Sequence, residues 1–116
     1  MGYGAAHAHD GARQHQRFPT HFAATLVTDD KRIFVWVAEI SSAGAMVRAV
    51  DLPETGTSTK LVANALNVVA TIARRGEAEC DLNFRAPVDP LHIVRQNVRD
   101  MAYFRMLQER EPRSRS

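Results

Sequence analysis

Six short runs of alternating apolar and polar residues occupy most of the chain between residues 21 and 84. A period of two puts alternate side chains on opposite faces, which favours half-buried β-strands over helices. Six antiparallel strands in an open sheet would leave two unpaired edges, whereas a closed barrel leaves none. We therefore predict a mainly β fold, a six-stranded antiparallel β-barrel followed by a C-terminal α-helix. The predicted strands are His21–Thr28, Ile33–Ile40, Ala45–Val50, Thr57–Val62, Leu66–Ala73 and Ala78–Phe84.

Two of these runs predict which side chains form the core. The run Ile33–Ile40 is apolar at odd and even positions alike. We therefore expect both of its faces to be covered, with Phe34 and Trp36 inside the protein. The last run alternates most regularly, and its inward residues should be Ala78, Cys80, Leu82 and Phe84.

The apolar period changes from two to three or four after residue 88. Asp89 and Pro90 form a good helix start, because Asp caps free backbone N–H groups and Pro suits the first turn. The apolar stripe that follows is Leu91, Val94, Val98, Met101, Phe104 and Leu107. We predict an amphipathic helix at residues 89–110. Its stripe can pack on its own barrel or on a second subunit as a homodimer, and the sequence leaves both arrangements open.

The two ends of the chain carry little apolar periodicity. We expect a flexible N-terminal arm at residues 1–12 and a disordered tail at residues 111–116, on either side of a barrel domain at residues 13–88 and the helix. No apolar run reaches the roughly 18 residues that span a bilayer, and the N-terminus lacks a signal-peptide pattern. Cys80 is the single cysteine, which excludes an internal disulfide. These features predict a cytoplasmic protein.

The charge composition and the motifs argue against several classes of function. A net charge of +2 is too small for a protein that coats nucleic acid electrostatically. All but two of the 15 basic residues are arginine, which suits anionic, planar partners but is also what a GC-rich genome produces. The sequence has no metal-ligand cluster, glycine-rich phosphate loop or nucleophile with a base partner. We therefore predict a protein that is not an enzyme and has no cofactor and no metal.

Polar residues interrupt the apolar pattern where the second predicted strand meets the third. Glu39, Ser41 and Gly44 stand there in the order Glu-x-Ser-x-x-Gly. A simple turn needs only residues such as Asn-Gly, so these residues either satisfy a special turn or present polar groups and bare backbone to a ligand. Upstream, Arg13 and Arg17 form an Arg-x-x-x-Arg pair, and one predicted hairpin separates it from the second motif.

This order of motifs resembles the PilZ family, the bacterial receptors for cyclic di-GMP. The family pattern is Arg-x-x-x-Arg before a barrel, followed by Asp or Asn-x-Ser-x-x-Gly. The resemblance covers about residues 13 to 88, including the turn Leu52–Thr57 and the strand end Asp81–Phe84. It implies a six-stranded barrel with a helix after it, cyclic di-GMP as the ligand and a downstream protein partner. The binding residues that it implies are Arg13, Arg17, Glu39, Ser41 and Gly44.

The chemistry of these side chains suits a guanine nucleotide. Arginine can donate to guanine O6 and N7 together or pair with phosphate. A carboxylate can accept from guanine N1 and N2, and Gly44 would let backbone approach the ligand without a Cβ. Glu39 stands where the family has Asp or Asn. Because it is longer by one methylene, we expect reduced affinity but not a loss of binding.

Two other functions stay open from the sequence. One is a PilZ-like protein-interaction domain with weak or no nucleotide binding, which the presence of Glu39 favours. The other is a small barrel that binds single-stranded nucleic acid. That function needs exposed aromatic residues beside basic residues on one sheet face, whereas most aromatic residues here fall within apolar runs and are expected in the core.

Overall fold

Six antiparallel strands form a closed barrel in the computed structural model, which describes residues 16–99 and residue 106. The strands are β1 (Phe18–Val27), β2 (Arg32–Ile40), β3 (Gly44–Arg48), β4 (Ser58–Ala63), β5 (Leu66–Arg75) and β6 (Glu79–Phe84). The predicted six-stranded antiparallel barrel is therefore confirmed. The largest difference in bounds is at β1, which begins at Phe18 instead of His21.

The barrel closes because β1 pairs with strands on both of its sides. It runs antiparallel to β2 along most of its length, and Thr25–Val27 pairs with Lys60–Val62 of β4. On the other side of the barrel β3 pairs with β6, and Gly44 lies opposite Asn83. The resulting order, β1-β2-β3-β6-β5-β4, places the start of β1 beside the end of β2.

Apolar side chains from all six strands fill the interior of the barrel. The largest fully buried ones are Phe22, Leu26, Ile40, Leu61, Ile72, Leu82, Ile93, Val35, Val37 and Val47. Full burial of one such side chain stabilises the fold by about 1.5–3 kcal/mol. On β6 the inward positions Cys80 and Leu82 are buried as predicted, and Phe84 is half-buried. Ala78 is exposed, against the prediction, because it lies in the turn before β6.

The second strand is covered on one face only. Val35 and Val37 are fully buried, whereas Phe34 is 61% exposed and Trp36 is half-buried. The prediction that both faces would be covered, with these two aromatic residues in the core, is therefore wrong. A closed barrel has a single interior, so the outer face of a strand stays exposed wherever no further layer of the described structure packs on it.

A helix at residues 90–99 follows the barrel and packs on it. The Asp89 Oδ1 atom accepts a hydrogen bond from the His92 backbone N–H at 3.3 Å, which caps the first turn as predicted. Ile93 is 1% exposed and belongs to the barrel core. Leu91 and Val98, which the sequence places in the buried stripe, are 44% and 40% exposed. Val94 of the same stripe packs against the core, so the predicted stripe is wrong at Leu91 and Val98 but not at Val94.

A buried asparagine fixes the position of this helix. The Asn97 Nδ2 group donates to the backbone carbonyls of Asn64 and Ile93, both at 2.8 Å. Its Oδ1 atom accepts from the backbone N–H of Asn64 at 3.1 Å. Asn64 lies in the turn between β4 and β5, so these bonds join the helix to its own barrel. In the part of the chain that the structure describes, no helix has the length and apolar character needed to cross a membrane.

Candidate functional site

Arg17 and Glu39, two of the predicted site residues, form an ion pair on the outside of the barrel. The Arg17 Nη1 and Glu39 Oε1 atoms are 3.0 Å apart, and the two side chains are 59% and 38% exposed. Arg17 directly precedes β1, and Pro19 pairs with Glu39 across β1 and β2. The strand register therefore brings together an arginine and a carboxylate that lie 22 residues apart in the sequence. Arg13 lies outside the described residues.

The outer face beside Glu39 carries a second ion pair. Met46 of β3 lies opposite Glu39, and Asp81 of β6 lies opposite Met46. The Asp81 carboxylate is 4.0 Å from the Arg74 guanidinium. Residues directly opposite in a sheet point to the same side, so Glu39, Met46 and Asp81 form one row across three strands, and Arg74 of β5 extends it to a fourth. The row offers exposed donors and acceptors to a polar, planar ligand.

Ser41 is buried in the turn between β2 and β3. Its Oγ atom accepts hydrogen bonds from the backbone N–H groups of Ala43 and Gly44, each at 3.1 Å, and donates to the Gly44 carbonyl at 3.3 Å. The residue is 5% exposed. These bonds are those of a serine that stabilises its own turn. The structure therefore shows Ser41 in a role that stabilises the turn. A direct contact between its hydroxyl and a ligand stays a prediction.

Gly44 begins β3 at the place where this strand approaches β6. A Cβ atom on Gly44 would overlap the backbone carbonyl of Leu82, so only glycine lets the two strands pair at this distance. The sequence interpretation was that Gly44 lets a ligand approach the backbone. The structure gives a different reason for the same glycine, namely the close approach of a neighbouring strand.

Three rings on the outer faces of β1 and β2, the ring cluster (His21, Phe34 and Trp36), were not predicted as a surface feature. The His21 and Trp36 rings are stacked with centroids 4.4 Å apart and an interplanar angle of 7°. Phe34 meets Trp36 edge to face, with centroids 5.3 Å apart. Arg48 of β3 lies opposite Trp36. The sequence did contain a signal for their exposure. Phe34 and Trp36 follow the charged residue Arg32 by two and four residues, so in a strand all three lie on the same face.

A groove with a volume of about 430 Å³ lies beside the ring cluster. Its lining includes Phe34 of β2, Val62 of β4 and Asn97 of the helix. Thr25 is the first residue of β1 that pairs with β4, and it lines the groove together with its partner Val62. Among the described residues, no three histidine, cysteine, aspartate or glutamate side chains are grouped so as to hold a metal ion.

Cys80 is the one cysteine of the chain and belongs to the core. Burial raises the pKa of its thiol from 9.0 to about 11, with a further increase from the Asp81 carboxylate and an opposing effect of Arg75. A thiol with such a pKa holds its proton at neutral pH and is a poor nucleophile. This environment agrees with the sequence interpretation of Cys80 as a core residue.

Among solved structures, the chain is similar to the inhibitor of motility MotI/DgrA from Bacillus subtilis, with a TM-score of 0.56 and 14% sequence identity. The similarity covers 79% of this chain and 52% of that chain, so this chain spans about half the length of the protein that it resembles. At this identity the similarity shows the fold alone. No protein-family model and no curated protein matches the chain.

Proposed function

We propose that this protein is a cytoplasmic PilZ-type receptor that binds cyclic di-GMP, catalyses no reaction and passes the signal to a partner protein. The observation that carries the proposal is the Arg17–Glu39 ion pair at 3.0 Å, next to the turn that Ser41 holds. One residue from each half of the motif that resembles the PilZ family therefore lies in this contact on an exposed surface. This surface is where a receptor of this kind would take its ligand.

The pair has the chemistry that a guanine edge requires. The Arg17 guanidinium can donate to O6 and N7, and the Glu39 carboxylate can accept from N1 and N2. Both side chains are partly exposed, and an exposed ion pair contributes only about 0–1 kcal/mol. A ligand can therefore replace this contact at small cost.

The motif residues have different roles in this proposal. Arg17 and Glu39 contact the nucleotide, and Arg13 adds a second arginine from the segment before β1. Ser41 and Gly44 shape the turn and the β3–β6 pairing that hold Glu39 in place. Binding changes the conformation of the arm that carries the arginines, and a partner protein recognises this change.

The similarity to MotI/DgrA supports the proposal at the level of the fold. That protein is named an inhibitor of motility, and the structural similarity covers 79% of this chain. Binding to a second protein is one way in which a small barrel of this fold can act as an inhibitor. The apolar side chains that the helix leaves exposed, Leu91 and Val98, offer a surface for such a partner or for a second copy of this chain.

Isothermal titration calorimetry with cyclic di-GMP tests the proposal, with GTP and cyclic di-AMP as controls for specificity. Charge-assisted hydrogen bonds contribute about 1.5–3 kcal/mol each, so Arg17→Ala and Arg13→Ala should each weaken binding roughly 10- to 100-fold. Arg32→Ala removes an exposed arginine at the start of β2, seven residues before Glu39, and should leave affinity unchanged. Heat that survives both motif substitutions would exclude this site, and absence of heat with the native protein would favour the interaction domain without a nucleotide.

The exposed ring cluster favours a second candidate function more than the sequence did. Phe34 is 61% exposed, and Arg32 and Arg48 lie on the same outer face. Exposed rings beside arginines are the features with which small barrels bind single-stranded nucleic acid. Fluorescence anisotropy with a labelled oligothymidine tests this function. Binding that falls in Phe34→Ala would support it, and unchanged anisotropy at low salt with the native protein would exclude it.

A further inference from the structure

The stack of His21 on Trp36 leaves one aromatic surface open beside the Arg17–Glu39 pair. The two rings are nearly parallel at 4.4 Å, which is a full stacking contact on one side of each ring. His21 is nevertheless exposed, whereas Trp36 is half-buried and has Phe34 against it. The imidazole face that points away from Trp36 can therefore take a further planar ring.

The register places this stack and the ion pair on the same two strands. His21 is four residues after Arg17, and Trp36 is three residues before Glu39. Pro19 pairs with Glu39, so Glu39 lies level with a position two residues along β1 from His21. Two to three residues of a strand correspond to roughly 7–10 Å, a distance that one purine nucleotide can span.

A register shift in β1 lies between the two features. The regular pairing with β2 is interrupted between Pro19 and Phe22, where Thr20 and His21 stand. A β-bulge increases the local twist and changes the direction of a side chain, and such bulges are frequent beside binding sites. Trp36 then fixes the plane of the imidazole from one side. A ring that is held in this way loses little conformational entropy when a ligand stacks on it.

We propose that His21, supported by Trp36, is the stacking surface for the guanine base whose edge is bound by Arg17 and Glu39. This assignment rests on the proposed function, because it names a further residue of the same nucleotide site. It also gives the site a preference for a nucleobase, since phosphate and ribose have no aromatic face to stack on. Phe34 contacts Trp36 but not His21 in this arrangement and has no direct role.

Calorimetric titration with cyclic di-GMP tests this role in the full chain. Loss of base stacking should weaken binding of His21→Ala roughly 10- to 100-fold. His21→Phe keeps a ring and should bind within about threefold of the native protein. Phe34→Leu removes the other ring that contacts Trp36 and should also stay within about threefold. If His21→Ala does not fold, His21→Thr provides a ring-free residue that suits a β-strand.

Trp36 is the single tryptophan of the chain and reports on the same site. GMP should change its fluorescence and compete with cyclic di-GMP, whereas ribose 5-phosphate, which lacks a base, should do neither. Unchanged affinity of the folded His21→Ala protein, while Arg17→Ala loses affinity, would overturn the stacking role and leave the receptor intact. A native protein that binds no cyclic di-GMP would instead overturn the proposed function itself.

Discussion

The ion pair between Arg17 and Glu39, with 3.0 Å between Nη1 and Oε1, joins the segment before β1 to the end of β2. The guanidinium and the carboxylate therefore already neutralise and hydrogen-bond each other before a ligand binds. A nucleotide has to replace this contact with its own donors and acceptors. Relative to aspartate, the extra methylene of glutamate therefore has two effects. It shifts the position of the carboxylate, and it lets the carboxylate reach Arg17.

Shortening this side chain should strengthen nucleotide binding. In Glu39→Asp the carboxylate reaches less far toward Arg17, so both groups are free for the ligand. We expect cyclic di-GMP to bind roughly three- to tenfold more tightly, as measured by calorimetry. Glu54→Asp makes the same change at an exposed turn residue and serves as the control. Equal or weaker binding of Glu39→Asp would mean that the glutamate length suits the site.

Removal of the Ser41 hydroxyl should destabilise the fold. In Ser41→Ala the backbone N–H groups of Ala43 and Gly44 lose an acceptor in a buried turn. We expect the free energy of unfolding in urea to fall by about 1–3 kcal/mol. Ser58→Ala, at an exposed position of β4, should change it by less than about 0.5 kcal/mol. A stable Ser41→Ala protein that has lost nucleotide binding would show instead that the hydroxyl contacts the ligand.

Substitution of Gly44 should disturb the pairing of β3 with β6. The new Cβ of Gly44→Ala meets the Leu82 carbonyl, and that backbone can move only if the strands separate. Overpacking of this kind costs about 1–3 kcal/mol, and we expect the midpoint of thermal unfolding to fall accordingly. Gly76→Ala is the matched control, because its Cβ would lie at an ordinary 3.6 Å from the Glu79 carbonyl. Equal midpoints for the two variants would contradict this role of Gly44.

The buried thiol predicts how stability depends on pH. Folding raises the pKa of Cys80 from 9.0 to about 11. The thiol is therefore protonated in both states below about pH 9 and only in the folded state between the two values. Its contribution to stability is complete below the unfolded pKa and is lost as the pH rises toward 11, by about 2–3 kcal/mol.

Urea unfolding of the native protein and of Cys80→Ala across this pH range measures that contribution. Groups that titrate in both proteins cancel in the difference between the two free energies of unfolding. This difference should shrink as the pH rises from about 9 to 11. A constant difference would mean that the thiol has the same pKa in the folded and unfolded chain.

Strand periodicity predicted the barrel because each run had to bury one face. Leu66, Val68, Ala70 and Ile72 occupy the inward positions of β5 as the pattern indicated. The pattern could not predict what covers the outer face of β2, because apolar residues at every position fit both a buried strand and an exposed aromatic patch. Phe34, which is 61% exposed, is therefore not explained by packing in the core.

The candidate site was predicted in part for a similar reason. The sequence related Arg17 to Glu39 only through the resemblance to a family motif. Their contact follows from the register of β1 and β2, which the spacing does not reveal. His21 begins the first predicted strand, and its stack on Trp36 was not predicted. The stack depends on a β-bulge that leaves no sign in the sequence. The buried face of the helix was predicted only in part, because Asn97, a polar residue, lies on it together with Ile93.

The closure of the barrel by β1 has a consequence for how the molecule opens. The β1–β4 pairing, through Thr25–Val27, is the shortest of the six pairings in the barrel. Sub-global opening that leads to amide hydrogen exchange should therefore begin there, with the release of β1. The same strand starts beside Arg17, so ligand capture and barrel closure depend on one segment. A nucleotide that holds the start of β1 would thereby slow amide exchange at Leu26, at its far end.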